Sequence, residues 1–266
     1  MSAQLFDLTG CTAVVTGGSR GLGSYMARAL AGAGARVVIT ARKASDCETT
    51  LGELRSISEA AGTSAEPAAF SLDVTDRESI VRFGDAVSSL SGGVQILVNN
   101  AGCNIRKPFL DFTWEEWDRV LDTNLKGGFF VTQAVAPGMI ERRYGRIINI
   151  GSVTTAFGYA GIAPYCASRG GVGQVTKALA DELGPHGITV NCLAPGWFQT
   201  EQNKALYESR EWLAYITDRI PVKRPGKPHD LDGAVIFLAS RESEYVSGQT
   251  LFVDGGITTG ATKAAV

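Results

Sequence analysis

Residues 12–23 read Thr12-Ala13-Val14-Val15-Thr16-Gly17-Gly18-Ser19-Arg20-Gly21-Leu22-Gly23. The apolar, β-branched first part is typical of a buried parallel strand, and an amphipathic helix follows the glycines to about residue 33. Glycines at these positions permit a tight turn and close approach of a pyrophosphate to the backbone, and the helix N-terminus favours the anion. The stretch therefore predicts a dinucleotide-binding strand–turn–helix, with an ordinary glycine-rich turn as the alternative.

The alternation of strand and helix continues along the chain. Apolar runs predict strands at residues 12–16, 36–40, 68–72, 95–98, 145–150, 188–193 and 250–253, with helices between them. Residues 197–220, rich in Trp, Tyr, Gln and charge, break this rhythm and predict a helical lid over the site. Because no repeat or Pro/Ser linker interrupts the chain, we predict one α/β domain over residues 1–266. Its expected architecture is a Rossmann-type, doubly wound parallel sheet of seven strands flanked by helices.

The composition of the chain argues against several classes of binding partner. The chain has 266 residues, with 25 Lys and Arg against 27 Asp and Glu, so its net charge of −2 gives no field that recruits nucleic acid or a membrane surface. Its five cysteines are scattered and never in C-x-x-C spacing, which argues against a disulfide framework or a metal site. No secretion signal or long apolar run is present. We expect a soluble cytoplasmic protein that binds no metal.

The end of the second predicted strand bears on the choice of nucleotide. Dinucleotide folds usually carry an acid there that binds the ribose 2′-OH, but this chain has Thr40-Ala41-Arg42-Lys43. Arg20 in the glycine loop can reach the same place. Two guanidinium groups suit a 2′-phosphate, which arginine grips with two hydrogen bonds. The sequence therefore predicts NADP(H), with two solvated arginines as the alternative.

Polar residues also follow the third and fourth strands. Asp73-Val74 lies at the carboxyl edge of the sheet, where ligands bind; Asp73 is expected to accept from an adenine amino group, to cap the helix that starts near residue 75, or to do both. Residues 99–102 are small and polar, leaving room for a ribose and bracing the backbone. Asn124 is predicted near the end of a helix that starts at residue 113. Inside an apolar run its amide needs a partner, either a backbone group or a site group.

The stretch Tyr165-Cys166-Ala167-Ser168-Arg169, with Ser152 upstream, carries the candidate chemistry. A tyrosine and a cation four residues apart share one face of a helix. The cation there stabilises the phenolate, and a serine hydroxyl from the preceding strand can hold a substrate oxygen against the phenol. These are the parts of a proton-transfer site for a carbonyl or an alcohol. The alternative is a solvated helix surface.

With these residues in hand, the chain resembles the short-chain dehydrogenase/reductase family along nearly its full length. The matching residues are Thr16-Gly-x-x-x-Gly-x-Gly23, Asp73-Val74, Asn99-Asn-Ala-Gly102, Asn124, Ser152, Tyr165, Pro195-Gly196 with Thr200, and Val253-Asp-Gly-Gly256. Two further stretches, residues 104–108 and 200–203, resemble the gluconate 5-dehydrogenase and deoxygluconate dehydrogenase branch.

The resemblance implies roles for individual residues. Tyr165 is the expected general acid/base, Ser152 orients the carbonyl, and Asn124 holds a water in a proton relay. The family has lysine where this chain has Arg169, which is expected to bind the nicotinamide ribose and to keep the lysine's charge without passing on a proton. The expected cofactor-binding residues are Gly17, Ser19, Arg20, Gly21, Leu22, Gly23, Arg42, Asp73, Val74, Asn99, Ala101, Gly102, Tyr165, Arg169, Pro195, Gly196, Phe198 and Thr200.

We therefore predict an NADP(H)-dependent oxidoreductase that interconverts a ketone and a secondary alcohol, by family resemblance a homotetramer. Tyr165 is expected to protonate the carbonyl oxygen as hydride reaches its carbon. One alternative is a nucleotide-binding protein whose turnover is impaired or absent because of Arg169, and another is that Arg169 is an engineered replacement.

Two kinds of small-molecule substrate fit the sequence. Arg106 and Lys107 suit a carboxylate, as in a sugar acid, unless they are solvated loop cations. Trp197, Phe198 and Trp212 instead suit a bulky apolar ketone.

Overall fold

The structure, a computed structural model, describes residues 5–63, 66–200 and 203–260. One parallel sheet runs in the order β3-β2-β1-β4-β5-β6-β7. Its strands are β1 (Thr12–Val15), β2 (Arg36–Ala41), β3 (Ala68–Ser71), β4 (Ile96–Asn99), β5 (Gly145–Ile150), β6 (Ile188–Pro195) and β7 (Thr250–Val253). The predicted seven-stranded α/β sheet is confirmed.

Helices cover both faces of the sheet. Those in the described residues are α1 (Gly21–Gly32), α2 (Glu48–Ala60), α3 (Arg77–Ser88), α4 (Trp114–Leu121), α5 (Gly127–Arg142), α6 (Ala163–Leu183), α7 (Lys204–Glu208), α8 (Arg210–Arg219) and α9 (Asp232–Ala239). One core packs α1, α2 and α9 against the sheet, and a second packs α3, α5 and α6 against the opposite face. No helix among the described residues is long and apolar enough to span a bilayer.

The central strand shows why an unbroken apolar run is needed. Ala13 and Val15 belong to one core and Val14 to the other, because successive strand residues point to opposite faces. All three are fully buried, as expected for a parallel strand covered on both sides. Since β1 lies between β2 and β4, the chain changes direction beside β1. A crevice forms at the carboxyl ends of strands at such a switch point, and it is the usual ligand site of this architecture.

The helical run around Asn124 differs from the prediction. A π-helical turn, Asp122–Lys126, joins α4 to α5, so that Asn124 lies inside one continuous run rather than near a helix end. Gly127 and Gly128, which follow this turn, do not end the helix but begin α5. The backbone of Gly127 faces Val74, where a Cβ would lie 2.6 Å from the Val74 carbonyl oxygen. These glycines therefore permit close packing rather than terminating the helix.

Candidate active site

The glycine loop between β1 and α1 forms one wall of the crevice. Gly17 and Gly21 have positive φ angles of 63° and 58°, which glycine adopts without steric cost. A Cβ at Gly23 would lie 2.4 Å from the Gly17 carbonyl oxygen, so the loop folds back onto its helix only with glycine there. Arg20 precedes α1 and makes no side-chain capping bond. The first N–H groups of the helix thus remain available to an anion.

Asn100 fastens this loop to the end of β4. Its side-chain amide donates to the Thr16 and Gly17 carbonyl oxygens at 2.8 and 3.1 Å. The Thr16 hydroxyl oxygen accepts from the backbone N–H groups of Asn100 and Ala101 at 2.9 and 3.0 Å. The expected bracing by residues 99–102 therefore comes chiefly from Asn100, which our list of cofactor-binding residues did not contain.

The side chain of Asn99, which that list did contain, points into the interior. Its amide donates to Thr132 Oγ1 at 2.8 Å and to Asn149 Oδ1 at 2.9 Å. Asn149 in turn donates to Thr176 Oγ1 at 3.0 Å. This buried network ties β4 and β5 to the helices behind them. The Asn99 amide therefore bonds to the protein interior and does not point at a ligand in the crevice.

The residues expected near the adenosine end lie at the carboxyl ends of β2 and β3. Arg20 and Arg42 are both exposed. Asp73 Oδ1 accepts from the Thr75 backbone N–H and hydroxyl at 2.9 and 2.7 Å. The Thr75 hydroxyl holds the pKa of the Asp73 carboxyl below its usual value, and the positive charge of Arg42 acts in the same direction. Asp73 therefore stays ionised beside Arg42.

The helix-capping alternative for Asp73 is wrong. Asp76 is the N-cap of α3, and its side chain accepts from the Glu78 backbone N–H at 3.1 Å. Asp73 instead shapes the turn between β3 and that cap.

The turn after β5 ties Ser152 to α6, the helix that carries Tyr165. Ser152 Oγ accepts from the Thr154 backbone N–H at 3.2 Å and donates to no group in the described part of the chain. The Ser152 backbone N–H donates to Thr155 Oγ1, which itself donates to the Arg169 carbonyl oxygen, both at 3.2 Å. Thr155, not identified from the sequence, thus links the serine to the helix that carries Tyr165 and Arg169.

Arg169 is buried, which contradicts the alternative of a solvated helix surface. Its side chain is 6% exposed, and its guanidinium carbon lies 5.0 Å from the centre of the Tyr165 ring. Nη1 donates to the Ile150 carbonyl oxygen at 2.7 Å. Nη2 lies against Gly102, where an added Cβ would be only 2.5 Å away. Nε is buried and has no partner among the described residues.

Asn124 holds the loop after β4 against α6. Its Oδ1 accepts from the Cys103 backbone N–H at 2.7 Å, and its amide donates to the Cys103 carbonyl at 2.9 Å and to Ser168 Oγ at 3.1 Å. Ser168 Oγ donates to the Tyr165 carbonyl oxygen at 2.7 Å. The predicted backbone bond is confirmed, and both amide hydrogens of Asn124 are used in protein contacts.

The segment after β6 crosses the glycine loop. Pro195 ends the strand, and a Cβ at Gly196 would lie 2.6 Å from Asp254 Cα, so the two chain segments touch there. Thr200 follows within reach of the first turn of α1: its methyl carbon would lie 3.8 Å from a Cβ at Gly21. This crossing brings the predicted residues of the sixth strand to the same crevice as the loop.

The prediction for Phe198, in the same segment, was wrong. This residue was predicted among the cofactor-binding residues and as part of an apolar substrate wall. Its side chain is 4% exposed and belongs to the core that contains α1 and α9. The ring packs on the backbone of Gly226, where no Cβ would fit. The side chain therefore does not line the crevice, because a glycine far along the chain gives it a place in the core.

Lys107 and Arg106, the two cations predicted to meet a substrate, have different surroundings in the structure. Lys107 Nζ contacts both carboxylate oxygens of Glu116 at 2.6 Å and donates to the Asp111 carbonyl. Arg106 is exposed, and its guanidinium carbon lies 5.3 Å from the centre of the Tyr159 ring. Lys107 is thus held in an ion pair, whereas Arg106 has no ion pair among the described residues and lies over the Tyr159 ring.

Four aromatic rings form a row that begins with Tyr159, the ring under Arg106. Tyr159 contacts Trp197, Trp197 contacts Trp212 and Trp212 contacts Tyr207, each edge to face, with centroids 5.4, 5.8 and 5.0 Å apart. Tyr159 and Tyr207 were not singled out from the sequence. The only signal for Tyr207 was the aromatic content of residues 197–220, since its contacts are tertiary. Residues 201 and 202 of the stretch 200–203 lie outside the described residues.

Comparison with known proteins agrees with this geometry. A family model described as enoyl-(acyl carrier protein) reductase matches residues 17–258. Gluconate 5-dehydrogenase of Gluconobacter oxydans is 43% identical over 255 residues, covering 96% of this chain and 97% of the relative. The 5-keto-D-gluconate 5-reductase of Escherichia coli K12 is 38% identical, covering 96% and 98%. The crystal structure of a gluconate 5-dehydrogenase from Burkholderia cenocepacia, in complex with NADP and tartrate, is 40% identical and superposes with a TM-score of 0.90 over 97% of this chain and 98% of that chain.

Proposed function

The chain belongs to the short-chain dehydrogenase/reductase family, and on that basis we propose that it is an NADP(H)-dependent oxidoreductase that interconverts a ketone and a secondary alcohol. The observation that carries the proposal is the contact chain from Ser152 through Thr155 to Arg169, whose guanidinium lies 5.0 Å from the Tyr165 ring. Relatives named as dehydrogenases and reductases support turnover over the binding-only alternative.

The crevice fits the cofactor. The glycine loop has no side chain where the Gly17 carbonyl meets α1, and its N–H groups suit a pyrophosphate. Arg20, in the glycine loop, and Arg42, after β2, are both exposed and would bind a 2′-phosphate. Asp73 would accept from the adenine amino group, and Arg169 Nε, buried without a partner, would donate to a ribose hydroxyl. The bound nicotinamide would supply or accept a hydride.

The protein's own residues handle the proton. Tyr165 donates its phenolic proton to the carbonyl oxygen, and Ser152, whose hydroxyl hydrogen has no partner among the described residues, donates a hydrogen bond to the same oxygen. The fixed charge of Arg169 stabilises the phenolate that results. A guanidinium does not release a proton near neutrality, so the phenolate must be reprotonated from water by another path. The lid segment over residues 197–220 would limit water at the reacting carbon.

The substrate we propose is a ketone that carries a carboxylate, in the manner of a keto sugar acid. Two relatives are named for gluconate or 5-keto-D-gluconate. Arg106 supports this choice because its guanidinium is exposed and held on the Tyr159 ring, whereas Lys107 is paired with Glu116. The alternative, a bulky apolar ketone, is weakened because Phe198, one of the three residues expected to contact it, has its ring in the core.

The test is oxidation of NADPH with 5-keto-D-gluconate, followed by absorbance. We expect turnover with NADPH to exceed turnover with NADH. Tyr165→Phe should lower kcat by about 10²- to 10⁴-fold, the contribution of a positioned proton donor, while NADPH still binds. If no ketone in a broad panel is reduced with either cofactor, the proposal is wrong and the protein binds nucleotide without turnover.

We further propose that the protein assembles as a homotetramer in the cytoplasm. A shallow apolar groove of about 370 Å³ runs between the π-helical turn and α6, lined by Leu121, Asp122, Leu125, Lys126, Phe129 and Val175. Phe129 and Phe130 beside it are 37% and 42% exposed, and a contiguous exposed apolar patch is the kind of surface that marks protein–protein contacts. Light scattering should give four times the 28.1-kDa chain mass. Phe129→Glu should lower that mass, and a monomeric parent would contradict the proposal.

A further inference from the structure

Several buried polar atoms have no hydrogen-bond partner in the described part of the chain. They include Asn104 Oδ1 in the loop after β4 and the Tyr207 hydroxyl in the lid segment. Buried hydroxyl and amide groups are almost always satisfied, because leaving one unpaired costs free energy. Such groups on segments that adjoin an active site therefore indicate hydrogen bonds that a ligand completes.

Tyr207 is connected to the catalytic helix by the row of aromatic rings. Its ring contacts Trp212, and the row continues through Trp197 to Tyr159. The Tyr159 backbone N–H donates to Cys166 Sγ at 3.3 Å, directly beside Tyr165 in sequence. Burial raises the pKa of the Tyr207 phenol far above its usual value, so this group is a neutral hydroxyl at all physiological pH values. It can both donate and accept a hydrogen bond.

Asn104 lies in the loop that follows β4. It follows Cys103, whose backbone is clamped by Asn124 through two hydrogen bonds. It also precedes Arg106 by two residues, and Arg106 lies on the Tyr159 ring at the other end of the aromatic row. Asn104 Oδ1 is an acceptor in a fixed position, and the partner that suits it is a hydroxyl or an N–H donor.

We propose that Asn104 and Tyr207 determine substrate specificity by hydrogen-bonding hydroxyl groups of a polyhydroxylated keto acid. The inference rests on the proposed function, in which Tyr165 and Ser152 hold the carbonyl and Arg106 meets the carboxylate. Asn104 accepts from a substrate hydroxyl and the Tyr207 phenol bonds a second one. An apolar chain of the same length would leave both protein groups unpaired, and sites built in this way discriminate strongly against such analogues.

The test compares two six-carbon substrates, 5-keto-D-gluconate and 5-oxohexanoate. Both have a carboxylate and a ketone at carbon 5, but the second lacks every hydroxyl. We expect Tyr207→Phe to lower kcat/KM for 5-keto-D-gluconate about 10-fold or more and to leave 5-oxohexanoate within about 2-fold. Asn104→Leu, which keeps the side-chain size, should show the same selectivity. Tyr215→Phe is the matched control, because Tyr215 is also in the lid segment, is 45% exposed and should affect neither substrate.

A second measurement separates ligand binding from a structural role. Because the Tyr207 hydroxyl has no protein partner to lose, the melting temperature of the Tyr207→Phe variant should equal or exceed that of the parent. A clear fall in melting temperature, or equal loss of activity on both substrates, would overturn the inference. A parent that reduces 5-oxohexanoate but not 5-keto-D-gluconate would also overturn it while leaving ketone reduction intact.

Discussion

Replacing Arg169 by lysine tests which functions the guanidinium performs. Arg169 is the most informative position because it provides a buried positive charge beside Tyr165 but cannot pass on a proton. Lysine keeps the charge and adds a group that can exchange protons. We therefore expect Arg169→Lys to raise turnover and to change NADPH affinity little. The gain is bounded by the roughly 10²- to 10⁴-fold contribution of a positioned proton-transfer group.

The same substitution should cost stability, and the structure indicates how much. Arg169 Nη1 donates to the Ile150 carbonyl at 2.7 Å, and Nη2 fills the space above Gly102. A hydrogen bond from a charged group contributes about 1.5–3 kcal/mol, and the shorter lysine keeps part of it. We expect a loss of about 1–3 kcal/mol. For a domain of this size that lowers the melting temperature by roughly 2–10 °C.

The assay is steady-state reduction of the ketone in H₂O and D₂O, with thermal melts of both proteins. The solvent isotope effect should be larger for the parent than for the lysine variant, since proton delivery limits only the parent. Arg146→Lys is the control: Arg146 is 1% exposed and also donates to backbone carbonyls, of Ser240 and Gly145, but it lies at the amino end of β5, whereas Arg169 contacts Ile150 at the carboxyl end. It should lose stability without a change in kcat. If the parent turns over as fast as the Arg169→Lys variant, with an equal isotope effect, a proton-exchanging side chain at this position is dispensable.

Three further changes test other parts of the site and its support. Gly23→Ala should abolish measurable NADPH binding in fluorescence titrations, because its Cβ would lie 2.4 Å from the Gly17 carbonyl oxygen; unchanged affinity would refute the tight-turn argument. Arg42→Asp should weaken NADPH binding by about 1–3 kcal/mol, through a lost charge-assisted bond and added repulsion, and the NADH affinity should not fall; equal affinities of the parent for both cofactors would contradict this. Arg224 contacts both carboxylate oxygens of Asp230 and lowers the pKa of that carboxyl from 3.8 to about 2. A depressed folded pKa stabilises the protein above pH 4, and this stabilisation is lost as the pH falls through about 2, so Asp230→Asn should lower the melting temperature at pH 7 much more than at pH 2; an equal difference at both pH values would point to packing instead.

The strands were predictable because the signal that defines them is local. Each one is a short apolar, β-branched run that ends at glycine or a polar residue, and parallel strands buried on both faces need that composition. The placement of Tyr165 and Arg169 on one helix followed from their spacing, since four residues make about one helical turn. Positions that depend on a residue's own strand or helix were therefore predictable, while the roles of these residues stay predictions.

The predictions that the structure corrects all involve contacts between distant parts of the chain. The π-helical turn around Asn124 accompanies bonds to Cys103 and Ser168, neither of which is visible in the local pattern. Phe198 is directed into the core by the space at Gly226, and Lys107 is taken from the substrate site by Glu116. No window of a few residues contains both partners of any of these pairs.

The contact between Gly102 and Arg169 couples the two positions. A Cβ at position 102 would lie 2.5 Å from Arg169 Nη2, so a side chain there has to displace the guanidinium from its buried place beside the Tyr165 ring. The same pair predicts epistasis in a mutational scan: Gly102→Ala should be far more harmful beside Arg169 than beside lysine.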